Sequence, residues 1–119
     1  MSKGYLNMNN GSVEISSDVI SSYAGACALE CFGVVGMAAK SVTDGVIHLL
    51  KKDSLKKGIG VVIEDNKLYL EFHIIVAYGL NIVSITQNLV ENVKYKVEQF
   101  TGIPIEKITV LVEDVRVID

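Results

Sequence analysis

The chain has no apolar run long enough to cross a membrane. A helical span needs about 18 consecutive apolar residues, and runs such as Ile74 to Ala77 are only strand-sized. The opening residues, Met1-Ser-Lys-Gly-Tyr-Leu-Asn-Met8, hold no apolar core of signal-peptide length. These absences predict a cytoplasmic protein. Cysteine is scarce as well: Cys27 and Cys31 sit in one segment, which does not suggest a disulfide framework. Positive charge is short, with 11 Lys and Arg against 14 Asp and Glu, a net charge of −3 and a pI of about 5.3. That argues against broad nucleic-acid binding, which depends on neutralising phosphates. No Gly-x-Gly-x-x-Gly and no P-loop occurs, so nucleotide binding has no support.

What is abundant is apolar residues. They make up 50% of 119 residues, and the mean hydropathy is +0.38. A chain of this length fits one domain with a real core. It is too small to hide every apolar side chain, so some apolar surface should meet a partner.

Residues 1–10 are polar and Asn-rich and read as a mobile N-terminal segment. Gly11 to Ser16 alternates, with Val13 and Ile15 on one face, and predicts a strand. Ser16 or Ser17 then caps a helix with Asp18 in its first turn. Val19, Ile20, Tyr23, Ala24, Cys27, Ala28 and Cys31 form its buried stripe, and Gly33 stops it. Gly33 to Ala38 reads as a short extended piece, Ser41 to Leu50 as a short helix weakened by Gly45, and Lys51 to Gly58 as a polar connector.

Ile59, Val61 and Ile63 alternate in a strand that ends at an Asp65-Asn66 hairpin turn. The returning strand puts Leu68, Leu70, Phe72, Ile74 and Val76 on a core face, and Tyr69, Glu71, His73 and Ile75 on the other. A long helix follows, started by Asn81 or by the Ser84–Gln87 capping box. Its stripe is Ile82, Ile85, Leu89, Val93, Val97 and Phe100, and Gly102 with Pro104 ends it. A last strand turns Ile108, Val110 and Val112 inward and Thr109 and Leu111 outward. The order β-α-β-(α)-β-β-α-β predicts an α+β domain: a small, mostly antiparallel sheet with two main helices on one face. The other sheet face presents Val62, Tyr69, His73, Ile75 and Leu111. These are the candidate interaction residues, and they predict a homo-oligomer.

Chemistry is thinly represented. Cys27 and Cys31 lie four apart on a helix, where small core side chains fit better than half of a zinc site. His48 and His73 have no nucleophile or substrate group within sequence reach, and read as surface or interface histidines. The carboxylate pairs Glu64-Asp65 and Glu113-Asp114 lie at strand ends with nothing to turn them toward a pocket. Catalytic residues, metal ligands and cofactors are therefore all expected to be none. Gly33-Val-Val-Gly36 matches the Gly-x-x-Gly of KH RNA-binding modules but lacks Lys or Arg between the glycines. Lys51, Lys52, Lys56 and Lys57 form the one basic cluster, suited to an anionic lipid surface, an acidic partner, or simple solvation. A KH-like nucleic-acid module using these two features is the alternative reading.

Several segments in order resemble the alkaline-shock-protein family, also called the Gls-type general stress family, of Gram-positive bacteria. They are Gly11-Ser-Val-Glu-Ile-Ser16, Gly33-Val-Val-Gly-Met37 and Leu55-Lys-Lys-Gly58. Tyr69 through Ile82, with its Tyr78-Gly79-Leu80-Asn81 turn, then Asn88 to Val93, and Phe100-Thr-Gly102, complete the set. The resemblance covers about residues 10 to 117, and residues 11–119 read as a single domain of this type. Relatives carry Pro after the Asn-Ile pair, where Val83 stands here. The long tails of some stress-induced relatives are absent, so the chain resembles the short housekeeping type. The resemblance implies a cytoplasmic, non-enzymatic protein of the envelope stress response. It would self-associate and act as a scaffold or adaptor, reaching the inner face of the membrane through a membrane-anchored partner.

Overall fold

The computed structural model describes residues 3–8, 11–39, 49–50 and 52–118. The chain order is β1 (Lys3–Met8), β2 (Gly11–Ser16), α1 (Ser17–Leu29), β3 (Val34–Met37), a 3-10 helix (Lys52–Gly58), β4 (Ile59–Glu64), β5 (Lys67–Ala77), α2 (Ile82–Thr101) and β6 (Ile105–Arg116). The expected α+β order is present, with two additions. A strand, β1, forms inside the polar N-terminal stretch and pairs antiparallel with β2 in a ribbon of its own. The connector after Lys51 winds into a 3-10 helix because Leu55 turns inward and is buried. Most of the expected helix between Ser41 and Leu50, with His48, lies outside the described residues.

β5 organises the main sheet. Along one edge it pairs antiparallel with β4 (Glu64↔Lys67 to Ile59↔Phe72) and then with β3 (Met37↔Ile74 to Val34↔Val76). Along the other edge it pairs in parallel with β6. The parallel pairing follows from α2, which carries the chain back to the start of β5 before β6 begins. Asp65 and Asn66 both adopt positive φ, 51° and 58°, as a two-residue hairpin turn requires.

Strand alternation decides the core. Leu68, Leu70, Phe72, Ile74 and Val76 are all buried, as their period of two demands. The helices cover that face. Ser16 Oγ accepts the Val19 N–H at 3.3 Å to start α1, and Ile20, Ala24, Cys27 and Ala28 are buried beneath it. Val19, assigned to the same stripe, is exposed. The helix ends at Leu29, four residues before Gly33, through successive turns in which Cys31 donates to Ala28 and Val34 to Cys31.

Asn81, not Ser84, starts α2: its Oδ1 accepts the Ser84 N–H at 2.9 Å. Ile85, Leu89, Val93 and Val97 are fully buried, whereas Ile82 and Phe100 at the stripe's two ends stay half-open. Gly102 closes the helix in the left-handed conformation, φ 72°. Tyr23 of α1 stacks on Phe100 of α2, ring centroids 4.2 Å apart.

Glu98 fixes the step from α2 to β6. Its carboxylate accepts the Ile105 N–H at 2.7 Å and the Lys94 ammonium at 3.0 Å. The Ile105 N–H is the main reason its carboxyl titrates below the ordinary Glu value. A depressed value stabilises the fold fully above the unfolded-state value, about 4.3, and that contribution fades as pH falls through the folded value. Glu98→Gln is therefore expected to lower stability at neutral pH and to flatten its loss in acid. Urea midpoints compared at neutral and acid pH check this; parallel curves for both proteins would contradict it.

Candidate interaction surface

The candidate surface is the face of the sheet turned away from the helices. β4 supplies Gly60, Val62 and Glu64, and β5 supplies Tyr69, Glu71, His73 and Ile75. β6 supplies Lys107, Thr109 and Leu111, in register with Tyr69, Glu71 and His73. The five candidate residues thus share one face, but they are not equally open. Val62 is 50% exposed, Leu111 37%, and Tyr69 is half-buried. Ile75 is fully buried, and His73 keeps only 7% exposure. The open part of the face is therefore its β4 end and the β6 margin. A shallow depression of about 240 Å³ lies there, among Val62, Tyr69, Glu71, Lys107 and Thr109.

Ile75 is closed off because its register partner is Gly36. A glycine leaves room above the strand, and Leu49 fills it: a Cβ on Gly36 would come within 2.5 Å of Leu49 Cδ1. Alternation assigns the face to Ile75 but is blind to a segment folding over it.

His73 is held between two carboxylates. Nδ1 lies 2.5 Å from Glu113 Oε2 and Nε2 3.1 Å from Glu71 Oε2. The triplet joins β5 to β6, and both ring nitrogens face a carboxylate oxygen. The Glu113–His73 contact spans 40 residues of sequence, and strand pairing alone brings it about.

The other candidates take structural places. Cys27 and Cys31 are free thiols in the core; burial pushes the Cys27 thiol up, away from the reactive thiolate. The Asn92 amide donates to Cys31 Sγ at 3.3 Å. No group of three or more His, Cys, Asp or Glu that could hold a metal ion occurs among the described residues. Gly33 adopts φ 82° in the turn after α1, and Val34 to Met37 are strand. The Gly-x-x-Gly segment therefore leads a helix into a strand, where a KH loop joins two helices. In the basic cluster, Lys56 lies 3.8 Å from Asp18, Lys57 is exposed, and Lys51 is outside the described residues.

Sequence reasoning missed a second apolar area at the C-terminal end of β5. Ala77 donates to Gly33 O at 2.9 Å and Tyr78 to Arg116 O at 2.8 Å, which gathers three chain segments there. Phe32, Tyr78, Val83, Val117 and Ile118 are all well exposed at this end. They come from three segments far apart in the sequence, so no single periodic pattern groups them.

The model of the alkaline shock protein 23 family, described as having a cell envelope-related function, matches residues 5–117. The chain belongs to this family. It is 35% identical over 113 residues to the uncharacterised protein YloU of Bacillus subtilis, covering 94% of each chain. It is 34% identical over 114 residues to the uncharacterised protein Spy1614 of Streptococcus pyogenes, covering 95% of this chain and 94% of that one. YqhY of Bacillus subtilis, also uncharacterised, is 29% identical over 100 residues, 84% of this chain and 73% of its own. No solved structure matches. The resemblance read from the Tyr78-Gly79-Leu80-Asn81 turn and its flanking segments thus identifies the family. In this alkaline-shock-family chain, no described helix is long and apolar enough to cross a membrane.

Proposed function

We propose that this chain is a non-enzymatic, self-associating protein that serves cell-envelope homeostasis as a scaffold or adaptor. In this reading it is cytoplasmic and reaches the membrane through a membrane-anchored protein. One observation carries the reading: Val62 and Leu111 stand exposed, with Tyr69 half-buried beside them, on a sheet face that the helices do not cover. Exposed apolar residues grouped on one face mark a contact surface rather than a solvated one. The His73 cluster supports a non-catalytic role, because both ring nitrogens are already engaged.

Val62→Asp tests the reading. The side chain is half-exposed, so the fold tolerates the charge while a buried contact would not. Light scattering should show a lower assembly mass than wild type, with an unchanged circular dichroism spectrum. A wild-type protein that is monomeric at every concentration would overturn self-association. For the adaptor role, a pull-down from the protein's own cells should return membrane-anchored members of its family; ribosomal proteins or RNA in their place would contradict it.

A further inference from the structure

We propose that the trough between α2 and the helix side of β6 receives an amphipathic helix with a Lys- or Arg-bearing flank, supplied by the membrane-anchored partner. The proposal rests on the adaptor reading and names that partner's chemistry. β6 pairs only with β5 among the described residues, so it forms the margin of the sheet. Its residues Ile108, Val110 and Val112 face the helix layer, in register with Leu70, Phe72 and Ile74. Those three β5 neighbours are buried, whereas the three β6 residues are only half-buried. Val115, opposite the buried Val76, is 41% exposed. α2 forms the other wall. Val83 is 63% exposed, and half-buried Val90 follows seven residues later on the same helix flank. A groove of about 480 Å³ lies between the two walls. The apolar face of a sheet is normally buried by a second layer, and over β6 that layer is incomplete.

Shape and charge select the occupant. From Ile108 to Val115 the β6 wall spans about 23 Å, at roughly 3.3 Å per residue. That is the length of about 15 helical residues. A helix laid beside α2 completes the layer, with apolar anchors at i, i+3, i+4 and i+7 seated on the valines. The rim of the groove is polar, with Thr86, Gln87 and Glu91 in its lining. Charges near both ends are paired within the chain. Lys94 meets Glu98 at 3.0 Å and Lys67 meets Glu106 at 3.8 Å at one end, and Arg116 meets Asp114 at 3.0 Å at the other. Glu91 is exposed and forms no ion pair among the described residues. A flank carrying Lys or Arg complements it, and an acidic flank is repelled. Cytoplasmic segments next to a membrane span are enriched in Lys and Arg, so a membrane-anchored protein carries this composition at the right place. The trough lies on the opposite side of the sheet from Val62 and Leu111, so this contact and self-association through that face are compatible.

Two synthetic helical peptides of about 18 residues test the trough on the full chain. Both repeat Leu at i, i+3, i+4 and i+7; one carries Lys on its flank and the other Glu. Titrated into isotope-labelled protein, the Lys peptide should shift the amide resonances of Val83, Val90, Val110 and Val115 and leave those of Val62 and Leu111 in place. It should bind about fivefold more tightly than the Glu peptide, the scale of one exposed charge pair, and Glu91→Lys should reverse the order. Val90→Asp sets a carboxylate among the valines and should weaken the Lys peptide about tenfold or more, while Val62→Asp binds like wild type. In the pull-down, Val90→Asp should lose the membrane-anchored partner that wild type and Val62→Asp retain. No shift at the trough residues of the wild-type protein, or a folded Val90→Asp that keeps the partner, would overturn the trough and leave the adaptor reading standing. A lower assembly mass for Val90→Asp in light scattering would make the occupant a second copy and also overturn the proposal. A wild-type pull-down free of membrane-anchored proteins would overturn the adaptor reading, and with it the membrane source of the helix.

Discussion

Ile75→Asp is expected to unfold the domain rather than to dissociate an assembly. Ile75 is fully buried between Gly36 of β3 and the β6 strand, with Leu49 seated over Gly36 on the same face. Removing a buried isoleucine costs about 2–5 kcal/mol. A carboxylate there has no cation among its strand partners, since Gly36 and Asp114 are its register neighbours, and Asp114 is itself acidic. An unpaired buried charge adds several kcal/mol more, enough to exhaust a typical domain stability of about 5–15 kcal/mol. Circular dichroism at 25 °C should show loss of the native spectrum. A folded variant with a lower assembly mass would instead make Ile75 an interface residue.

Gly33→Ala should cost about 2–4 kcal/mol. The residue holds φ 82°, a conformation that costs alanine on the order of 1 kcal/mol. The added Cβ would also come within 2.6 Å of Ile85 Cδ1 and Cγ1. Ile85 is fully buried beneath α2, so it has nowhere to move without disturbing the core, an overpacking cost of about 1–3 kcal/mol. The melting temperature should fall by roughly 10 °C. Gly79→Ala is the internal comparison. Its φ is 91°, but nothing lies within 4 Å of the added Cβ, so only the backbone cost applies and the fall should be well under half as large. Equal losses at the two positions would show that the Ile85 contact contributes nothing. Gly33 is therefore a residue of the core junction between α1, β3 and α2, which accounts for the glycine without a phosphate to clamp.

Much of the architecture is legible from local chemistry. The alternation in β5, the Asp65-Asn66 turn, the Asn81 cap and the Gly102 stop all act within a few residues, so sequence spacing reports them directly. The β1 strand was not legible, because Asn7 and the asparagines after Met8 make the stretch read as polar and strand formation there depends on the register with β2. The 3-10 helix before β4 was missed for a related reason: Leu55 is one apolar residue in a polar stretch, and only its burial against α1 explains it.

The interaction surface divides along the same line. By itself the sequence determined which residues share the outer sheet face, because side chains alternate along a strand whatever surrounds it. It also determined the apolar excess that such a small domain cannot hide, and the distributed segments that identify the family. Tertiary structure alone decided which of those residues are open. Leu49 closes over the Gly36–Ile75 pair, Glu71 and Glu113 enclose His73, and Val62 and Leu111 stay exposed. It also left β6 as an open edge, because a parallel strand delivered by α2 finds its only ladder partner among the described residues in β5. Burial and edge position depend on contacts between segments far apart in the chain, and no local pattern encodes them.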